Sequence, residues 1–219
     1  MEPEVQSPSR DGPMNYRVLT VAREYGSGGA EIAGIVAKRL GWRLLDDALI
    51  TEISRRAHVP VADAVALDEK IDPWLHRVTR PLWGTGADGA SAILPVDVFD
   101  ADAEAGWARR LIEEAGRLGN CVIVGRGAQC ALRGAPGVFH AFVYARWSDR
   151  VRRVQSRVQP GTNVDELLLA MDEQRIEYVR RHYGENRMDP HLYNLMIDSG
   201  DRPSVAAALI LAALQSTNL

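Results

Sequence analysis

Lysine is almost absent from this sequence of 219 residues, and cysteine is scarce. The lysines are Lys38 and Lys70, although lysine and arginine together number 26. The two cysteines, Cys121 and Cys130, exclude a disulfide framework and match no metal-ligand spacing. The longest apolar run, around residues 205–214, is far too short to cross a bilayer, and no apolar signal segment is present at the start. We therefore expect a soluble protein in the reducing cytoplasm, with no membrane partner.

A strong overall positive charge is also lacking. The net charge is −3, which excludes the global basic field that favours nucleic acid as a partner. The arginines are nevertheless concentrated in the last third of the chain. Arginine is a good bidentate ligand for phosphate, but a GC-rich coding sequence would also enrich it, so both interpretations stay open. The apolar fraction of 46% is ordinary for a globular protein with a core.

A strand, a glycine-rich turn and a helix start follow one another over residues 18–32. Gly26, Ser27, Gly28 and Gly29 come directly after the apolar strand. Glycines allow positive φ angles and converging backbone N–H groups, and the helix directs its positive end at the same point. The order predicts a phosphate-binding loop. The alternative is a tight strand-to-helix connection that happens to use glycine.

The loop lacks two residues of the nucleoside-triphosphate pattern G-x-x-x-x-G-K-[ST]. When Gly28 is placed on the second glycine, Gly29 occupies the lysine position. Ala30 and Glu31 follow where the pattern has a magnesium-binding hydroxyl. The positive charge for a phosphate must therefore come from elsewhere, and Arg23 is the nearest candidate.

Apolar periodicity predicts strands that alternate with helices. The predicted strands are 17–22, 42–46, 121–124, 138–144 and 192–198. The predicted helices are about 29–40, 48–57, 60–69, 100–118, 128–132, a segment from 148, 164–182 and a closing helix from 203. This alternation is typical of a parallel sheet with helices on both faces. Residues 1–16 are expected to be a disordered tail, and 72–99 are interpreted as a lid, a binding segment or a mobile loop.

Polar residues follow several of these strands at their carboxyl ends. Asp46 follows the second strand, Arg126 the third and Asp198 the last. Ligands of open parallel sheets bind at this edge, so the polar residues that follow the first, third and last strands predict a ligand site, and Asp46 is a further candidate. Structural alternatives remain, because Asp46 could cap the next helix and Arg126 could form an internal ion pair.

Three segments resemble the cytidylate kinase-like family of P-loop proteins. They are Arg-Glu-Tyr-Gly-Ser-Gly-Gly-Ala-Glu-Ile-Ala at 23–33, with Leu-Gly at 40–41; Gly-Arg-Gly at 125–127; and Asp-Pro-His-Leu-Tyr-Asn-Leu-Met-Ile-Asp at 189–198. The resemblance covers about residues 17–214. It implies an α/β, three-layer P-loop kinase-like fold, with a five-stranded parallel sheet, helices on both faces and a helical lid. One domain over 17–219 is expected, with an insertion at about 47–118 and the lid at about 147–187.

The resemblance also implies an activity, which is phosphoryl transfer from ATP with Mg²⁺ to a nucleoside monophosphate such as CMP or dCMP. It implies that the donor phosphates bind to Gly26, Ser27, Gly28 and Gly29. It places Asp46, Arg126 and Asp198 on the acceptor side. It also implies that the transferring group is stabilised by Arg126 and by two lid residues, Arg175 and Arg181. Arg23 would replace the charge of the missing lysine, and no side chains that hold a metal are predicted.

Two other functions remain open at this stage. One is a nucleotide-binding regulatory protein that kept the fold and lost turnover, which the missing lysine favours. The other is a stable α/β domain for an unrelated small anion. The lid arginines favour the kinase, because a protein that only binds has less need of them. Beyond nucleotides, a homodimer is a further partner to consider, since Trp74 and Trp83 suit either a dimer contact or a lid.

Overall fold

The computed structural model of the protein describes residues 16–46, 49–50, 101–200 and 202–216. The helix expected at 60–69, the stretch 72–99 with its two tryptophans, nearly all of the tail 1–16 and most of the helix expected at 48–57 lie outside those ranges. The five strands are β1 (Val18–Arg23), β2 (Arg43–Leu45), β3 (Cys121–Val124), β4 (Val138–Tyr144) and β5 (Leu195–Asp198). The helices of the described ranges are α1 (Gly29–Leu40), α2 (Ala101–Leu118), α3 (Ala128–Ala131), α4 (Trp147–Gln155), α5 (Val164–Tyr183) and α6 (Pro203–Gln215).

The strands form one parallel sheet in the order β2-β3-β1-β4-β5. Val18 of β1 is level with Cys121 of β3 on one side and with Val138 of β4 on the other. The carboxyl ends of these three strands therefore lie at one edge of the sheet. Because β1 is central, the residues that follow it lie between the two halves of that edge.

Side chains of alternate strand residues enter two separate cores, as the pleat of a strand requires. Leu19 and Val21 pack with Ile32 of α1 and Ile210 of α6 on one face. On the other face, Val18 packs with residues of α2, α3, β3 and β4. Each fully buried leucine or isoleucine contributes roughly 1.5–3 kcal/mol. Helices thus cover both faces, which confirms the three-layer fold predicted from the sequence.

The last strand begins later than predicted. Residues 190–192 form a short 3₁₀ turn, so β5 starts at Leu195 instead of residue 192. The Asp189 side chain accepts from the N–H of His191 at 2.9 Å, and Pro190 fixes the backbone of the turn. An apolar run alone does not show this local capping.

Within the described ranges, no helix is both long enough and apolar enough to cross a membrane.

Candidate active site

The glycine-rich loop lies between β1 and α1. Gly26 and Gly28 both have a φ of 80°, and Gly28 is the residue before the first turn of α1. Glycine adopts this left-handed conformation at little cost. The N–H of Ile32 donates to the Gly28 carbonyl at 3.0 Å, so the helix begins immediately after the loop. The positive end of α1 therefore meets the loop, which is the arrangement that binds phosphate groups.

Ser27 is turned into the protein. Its hydroxyl donates to the Glu24 carbonyl at 2.9 Å, its N–H donates to the same oxygen at 3.4 Å, and the residue is fully buried. The hydroxyl of Ser199, which follows β5, donates to the Ser27 carbonyl at 2.6 Å. Ser27 is thus placed to maintain the shape of the loop. Donor-phosphate binding by the four loop residues stays a prediction.

Arg153 of α4 supports the same loop from the β5 side. Its Nη1 donates to the Gly26 carbonyl at 3.2 Å and to the Ser199 hydroxyl at 3.4 Å, and its Nη2 donates to the Gly200 carbonyl. The loop is therefore fixed by contacts with two neighbouring segments rather than by its own residues alone.

A buried ion network fixes the turn just before the glycines. Arg150 of α4 forms ion pairs with Glu24 at 3.4 Å and with Asp172 of α5, and its Nε donates to the Tyr25 carbonyl at 2.7 Å. Asp172 also accepts from the Tyr25 N–H at 2.8 Å. The Glu24 carboxylate accepts from the N–H of Ala145 at 3.1 Å. The backbone carbonyl of Tyr25 is bound by Arg150 of α4 and its backbone N–H by Asp172 of α5. The position of the loop is therefore coupled to the predicted lid, which includes both helices.

A cavity of about 300 Å³ lies at the carboxyl ends of β1 and β3, against α5. Four arginines contribute to its wall, and these cavity arginines come from four different segments of the chain: Arg23, Arg126, Arg175 and Arg187. The other residues of the wall are Ala22, Gly125, Gly127, Gln129, Met171, Gln174, Tyr178 and Val179. A cluster of guanidinium groups in one concave site indicates an anionic ligand.

Arg126 stands on a sharply bent backbone. Its φ is 49°, between Gly125 at 82° and Gly127 at 68°. A Cβ at Gly127 would lie 2.2 Å from the Tyr183 ring, so this position accepts only glycine, and the Tyr183 hydroxyl donates to the Arg126 carbonyl at 3.2 Å. A non-glycine residue in the left-handed region costs on the order of 1–3 kcal/mol and is concentrated at functional sites. The Arg126 side chain lines the cavity, and its Nη2 lies 3.4 Å from the Glu104 carboxylate.

Two cavity arginines meet at a single backbone oxygen. Nη1 of Arg175 donates to the Arg23 carbonyl at 3.2 Å, and Nη2 of Arg187 donates to the same carbonyl. Arg175 also lies 3.9 Å from Asp172. Two guanidinium groups this close together at the cavity wall suit a bound anion.

Three cavity arginines lie over aromatic rings, at distances of 5.1–5.3 Å between the guanidinium carbon and the ring centroid. The pairs are Arg126 over Tyr178, Arg175 over Tyr25 and Arg187 over Phe142. Such stacking fixes the plane of the guanidinium and leaves its N–H edges directed sideways, where they can donate to phosphate oxygens.

Arg187 is the most deeply buried of the four, with 3% of its surface exposed. It makes no ion pair with a carboxylate in the described part of the chain. Burial lowers the pKa of Arg187, and the neighbouring charge of Arg175 lowers it further. Tyr193, Asp172 and Glu24 act in the opposite direction. A buried cation in this setting is costly without an anion, and the cavity is where an anion can bind.

Arg181 does not reach the cavity, although the resemblance assigns it to the transferring group. Its side chain is 56% exposed, and it forms two hydrogen bonds of 3.0 and 3.1 Å with Asp102 at the start of α2. These bonds lower the pKa of Asp102. Arg181 is six residues from Arg175, which places it about 120° away around the helix.

Asp46 and Asp198 lie at opposite edges of the sheet. Asp46 follows β2 and caps a helical turn, because its Oδ1 accepts from the Leu49 N–H at 2.8 Å. Asp198 ends β5 and accepts from the Gly200 N–H at 2.9 Å. Four strand spacings of about 4.8 Å separate the two strands, or roughly 19 Å. The two carboxylates therefore lie far apart in the structure, and acceptor binding by Asp46, Arg126 and Asp198 stays a prediction.

The sequence interpretation missed Arg187, Tyr178, Gln129 and Gln174, all of which line the cavity. Arg187 showed only the general enrichment of arginine in the last third of the chain. Tyr178 was detectable in principle, because it lies three residues from Arg175 and shares a face of the helix.

The strand order, the glycine loop after the central strand and the cavity beside it define a P-loop kinase-like fold. The chain belongs to the cytidylate kinase-like family, whose model matches residues 18–201. An uncharacterized protein from Eubacterium ventriosum has a similar structure, with a TM-score of 0.64 and 19% identity over 91% of this chain and 98% of that chain. Shikimate kinase from Bacteroides thetaiotaomicron follows with a TM-score of 0.51 and 15% identity, over 90% and 98% of the two chains. At these identities the likeness shows the fold alone. No curated protein matches the sequence.

Proposed function

We propose that the protein is an ATP-dependent kinase that phosphorylates a nucleoside monophosphate, with CMP and dCMP as the first candidates. Family membership and the fold support a kinase of nucleotides or other small molecules. The observation that carries the finer proposal is buried Arg187, which lies with three further arginines around one cavity beside the glycine loop. The cavity charge suits two phosphorylated substrates that meet end to end.

The number of arginines favours a phosphorylated acceptor over a neutral alcohol. A phosphate monoester carries about two negative charges near pH 7. The transferring group already needs positive charge on its equatorial oxygens. An acceptor phosphate adds to that need, whereas a hydroxyl acceptor does not. Arg126 lies on the β3 side of the cavity, away from the glycine loop, and is the natural contact for the acceptor.

The arrangement would perform phosphoryl transfer mainly by positioning and charge stabilisation. The glycine loop and the start of α1 would bind the donor phosphates, and Arg175 and Arg187 would contact the group in transit. The bond from the terminal phosphorus to the ADP oxygen breaks as a bond to an acceptor phosphate oxygen forms. The described residues contain no group of three His, Cys, Asp or Glu side chains suited to a metal ion, so we assign Mg²⁺ to the phosphates of ATP.

The volume of the cavity is consistent with a site for the reacting phosphates alone. At about 300 Å³ it is at the lower end of the range for ligand sites, so it would hold the reacting phosphates but not two whole nucleotides. The nucleosides would then extend away from it on either side. The acceptor insertion expected at 47–118 is described only at 49–50 and from residue 101, and its role stays part of the proposal.

A nucleotide-binding protein without turnover is the second candidate. Gly29 at the lysine position favours it, because the usual cation of the loop is lost. A cytoplasmic setting and a homodimer remain expectations that accompany either function.

The deciding experiment supplies purified protein with ATP, Mg²⁺ and each of CMP, dCMP, UMP, AMP and GMP, and follows diphosphate products by chromatography. Shikimate serves as a hydroxyl acceptor that carries a carboxylate and no phosphate. We expect product with a pyrimidine monophosphate and none with shikimate. ATP binding, measured by calorimetry without product from any acceptor, would instead establish the second candidate. Product from shikimate alone would contradict a phosphorylated acceptor.

A further inference from the structure

The basic residue and the glycine of the phosphate-loop pattern stand in exchanged positions in this chain. In G-x-x-x-x-G-K-[ST], the first glycine precedes the lysine by six residues. When Gly28 is the second glycine, Gly29 takes the lysine position and Arg23 takes the first-glycine position. We propose that this exchange is functional: Arg23 supplies the donor-phosphate charge that the pattern takes from lysine, and Gly29 is a positioning residue that makes room for Arg23.

The two positions are too close for both to carry a side chain. A Cβ built on Gly29 would lie 2.6 Å from Cβ of Arg23 and 3.0 Å from its Cγ. These atoms are next to the main chain, so they cannot move aside as the end of a flexible side chain would. Either position 23 or position 29 can bear a side chain.

The backbone of Arg23 is fixed by hydrogen bonds, so the first atoms of its side chain have a defined position. Its carbonyl accepts from both Arg175 and Arg187 at the end of β1. Its Cβ and Cγ lie over Gly29, the first residue of α1, and the residue lines the cavity. The side chain of Arg23 therefore begins on the strand side of Gly29, whereas a lysine at position 29 would begin on the helix side.

Arg153 is another arginine next to the loop, and its position outside the wall of the cavity makes it the weaker candidate. Its guanidinium carbon lies 3.8 Å from a Cβ built on Gly28. Its terminal nitrogens, however, donate to the carbonyls of Gly26 and Gly200 and to the hydroxyl of Ser199. Arg153 is thus engaged in holding the loop, whereas Arg23 lines the cavity.

Affinity for MgATP tests the exchange without requiring turnover. The inference rests on the proposed function only in taking ATP as the ligand of the loop. Calorimetry would compare the wild type with Arg23→Gly, Gly29→Lys, the double variant and Arg23→Lys. We expect each of the first two variants to weaken binding about tenfold or more, as for loss of a hydrogen bond to a charged group. The double variant should return to within about fivefold of the wild type, and Arg23→Lys should stay within about threefold, since both again place one cation at the loop.

A double variant that binds no better than either single variant would overturn the exchange, and so would Arg23→Gly with wild-type affinity. The smaller pair Gly29→Ala and Arg23→Gly/Gly29→Ala tests the steric part if the lysine variants do not fold. Gly29→Ala should lower the Tm by about 5 °C in the wild-type background, as overpacking does, and by much less beside Gly at 23. Equal losses in both backgrounds would refute the crowding. Rescued ATP affinity without turnover on any acceptor would refute the kinase and leave the exchange intact.

Discussion

Two arginines in this fold are buried almost equally but differ in what balances their charge. Arg150 is 5% exposed and Arg187 is 3% exposed. Arg150 contacts two carboxylates, Glu24 and Asp172, and the Tyr25 carbonyl. Arg187 donates to a backbone carbonyl and stacks on a ring, with no ion pair in the residues that the structure describes.

The difference separates an arginine of the framework from an arginine of the site. The charge of Arg150 is compensated by carboxylates within the fold, so Arg150 needs no bound ligand to balance its charge. The charge of Arg187 faces a cavity, and Asp172 and Glu24 influence it without forming an ion pair with it. Burial alone therefore does not identify a functional arginine, whereas burial with an unbalanced charge beside a cavity does.

Arg187→Met should have the largest effect on activity. An arginine that contacts the transferring group in phosphoryl transfer is worth about 10³-fold or more in kcat, so we expect a loss of that order. The Tm should stay unchanged or rise, because methionine fills similar space without a buried charge. Steady-state kinetics with the acceptor that the proposed assay identifies would measure the activity, and thermal unfolding would measure the Tm.

A matched control for Arg187→Met is Arg180→Met. Arg180 is on α5, its side chain is 72% exposed, and it pairs with Glu177 within the same helix. Its removal should leave kcat within about twofold, as for other exposed pairs. If Arg187→Met kept its activity and lost its stability instead, Arg187 would have the same structural role as Arg150.

Arg150→Met should reverse the pattern and act mainly on stability. Glu24 and Asp172 would lose the buried cation that they share, and Asp172 would keep only the contact with Arg175 at 3.9 Å. Breaking a buried pair costs about 3–5 kcal/mol. Denaturant unfolding would measure the loss. The fall in kcat, measured on folded protein, should be far smaller than for Arg187→Met.

The double variant Arg150→Met/Asp172→Asn provides a check on this cause. It removes one of the two uncompensated charges and should recover part of the lost stability. The amide oxygen of Asn at this position can still accept from the Tyr25 N–H. An Arg150→Met protein as stable as the wild type would show that the ion network contributes little.

Much of the fold could be predicted from the sequence because its strands are short, apolar and separated by helical periodicity. β3 and β4 have the predicted bounds, and α5 ends one residue later than predicted. The predicted start of β5 was wrong because Asp189 and Pro190 form a capped turn inside an apolar run. Local patterns show which residues are apolar, but side-chain capping decides where an element starts.

The site was less predictable because it depends on strand order and on helical phase. Arg23, Arg126 and Arg175 line the cavity, and the first two follow strands whose carboxyl ends are adjacent. Local sequence does not state that β2 and β5 are the outer strands, so it could not show that Asp46 and Asp198 lie at opposite edges of the sheet. Arg187 lies beyond the end of α5 and has no periodic pattern to mark it.

Arg181→Ala should have a small effect, and its comparison with Arg126→Ala separates two of the arginines that the resemblance assigns to the reaction. Arg181 bonds to Asp102 at the surface, and exposed pairs of this kind contribute little, so kcat/KM should fall by less than about threefold. Arg126 lines the cavity, and its loss should cost about a hundredfold, as for other preorganised donors. The same kinetic assay measures both, with thermal unfolding to exclude misfolding. Equal losses would mean that α5 must turn by roughly a third of a revolution during the reaction to bring Arg181 to the phosphates.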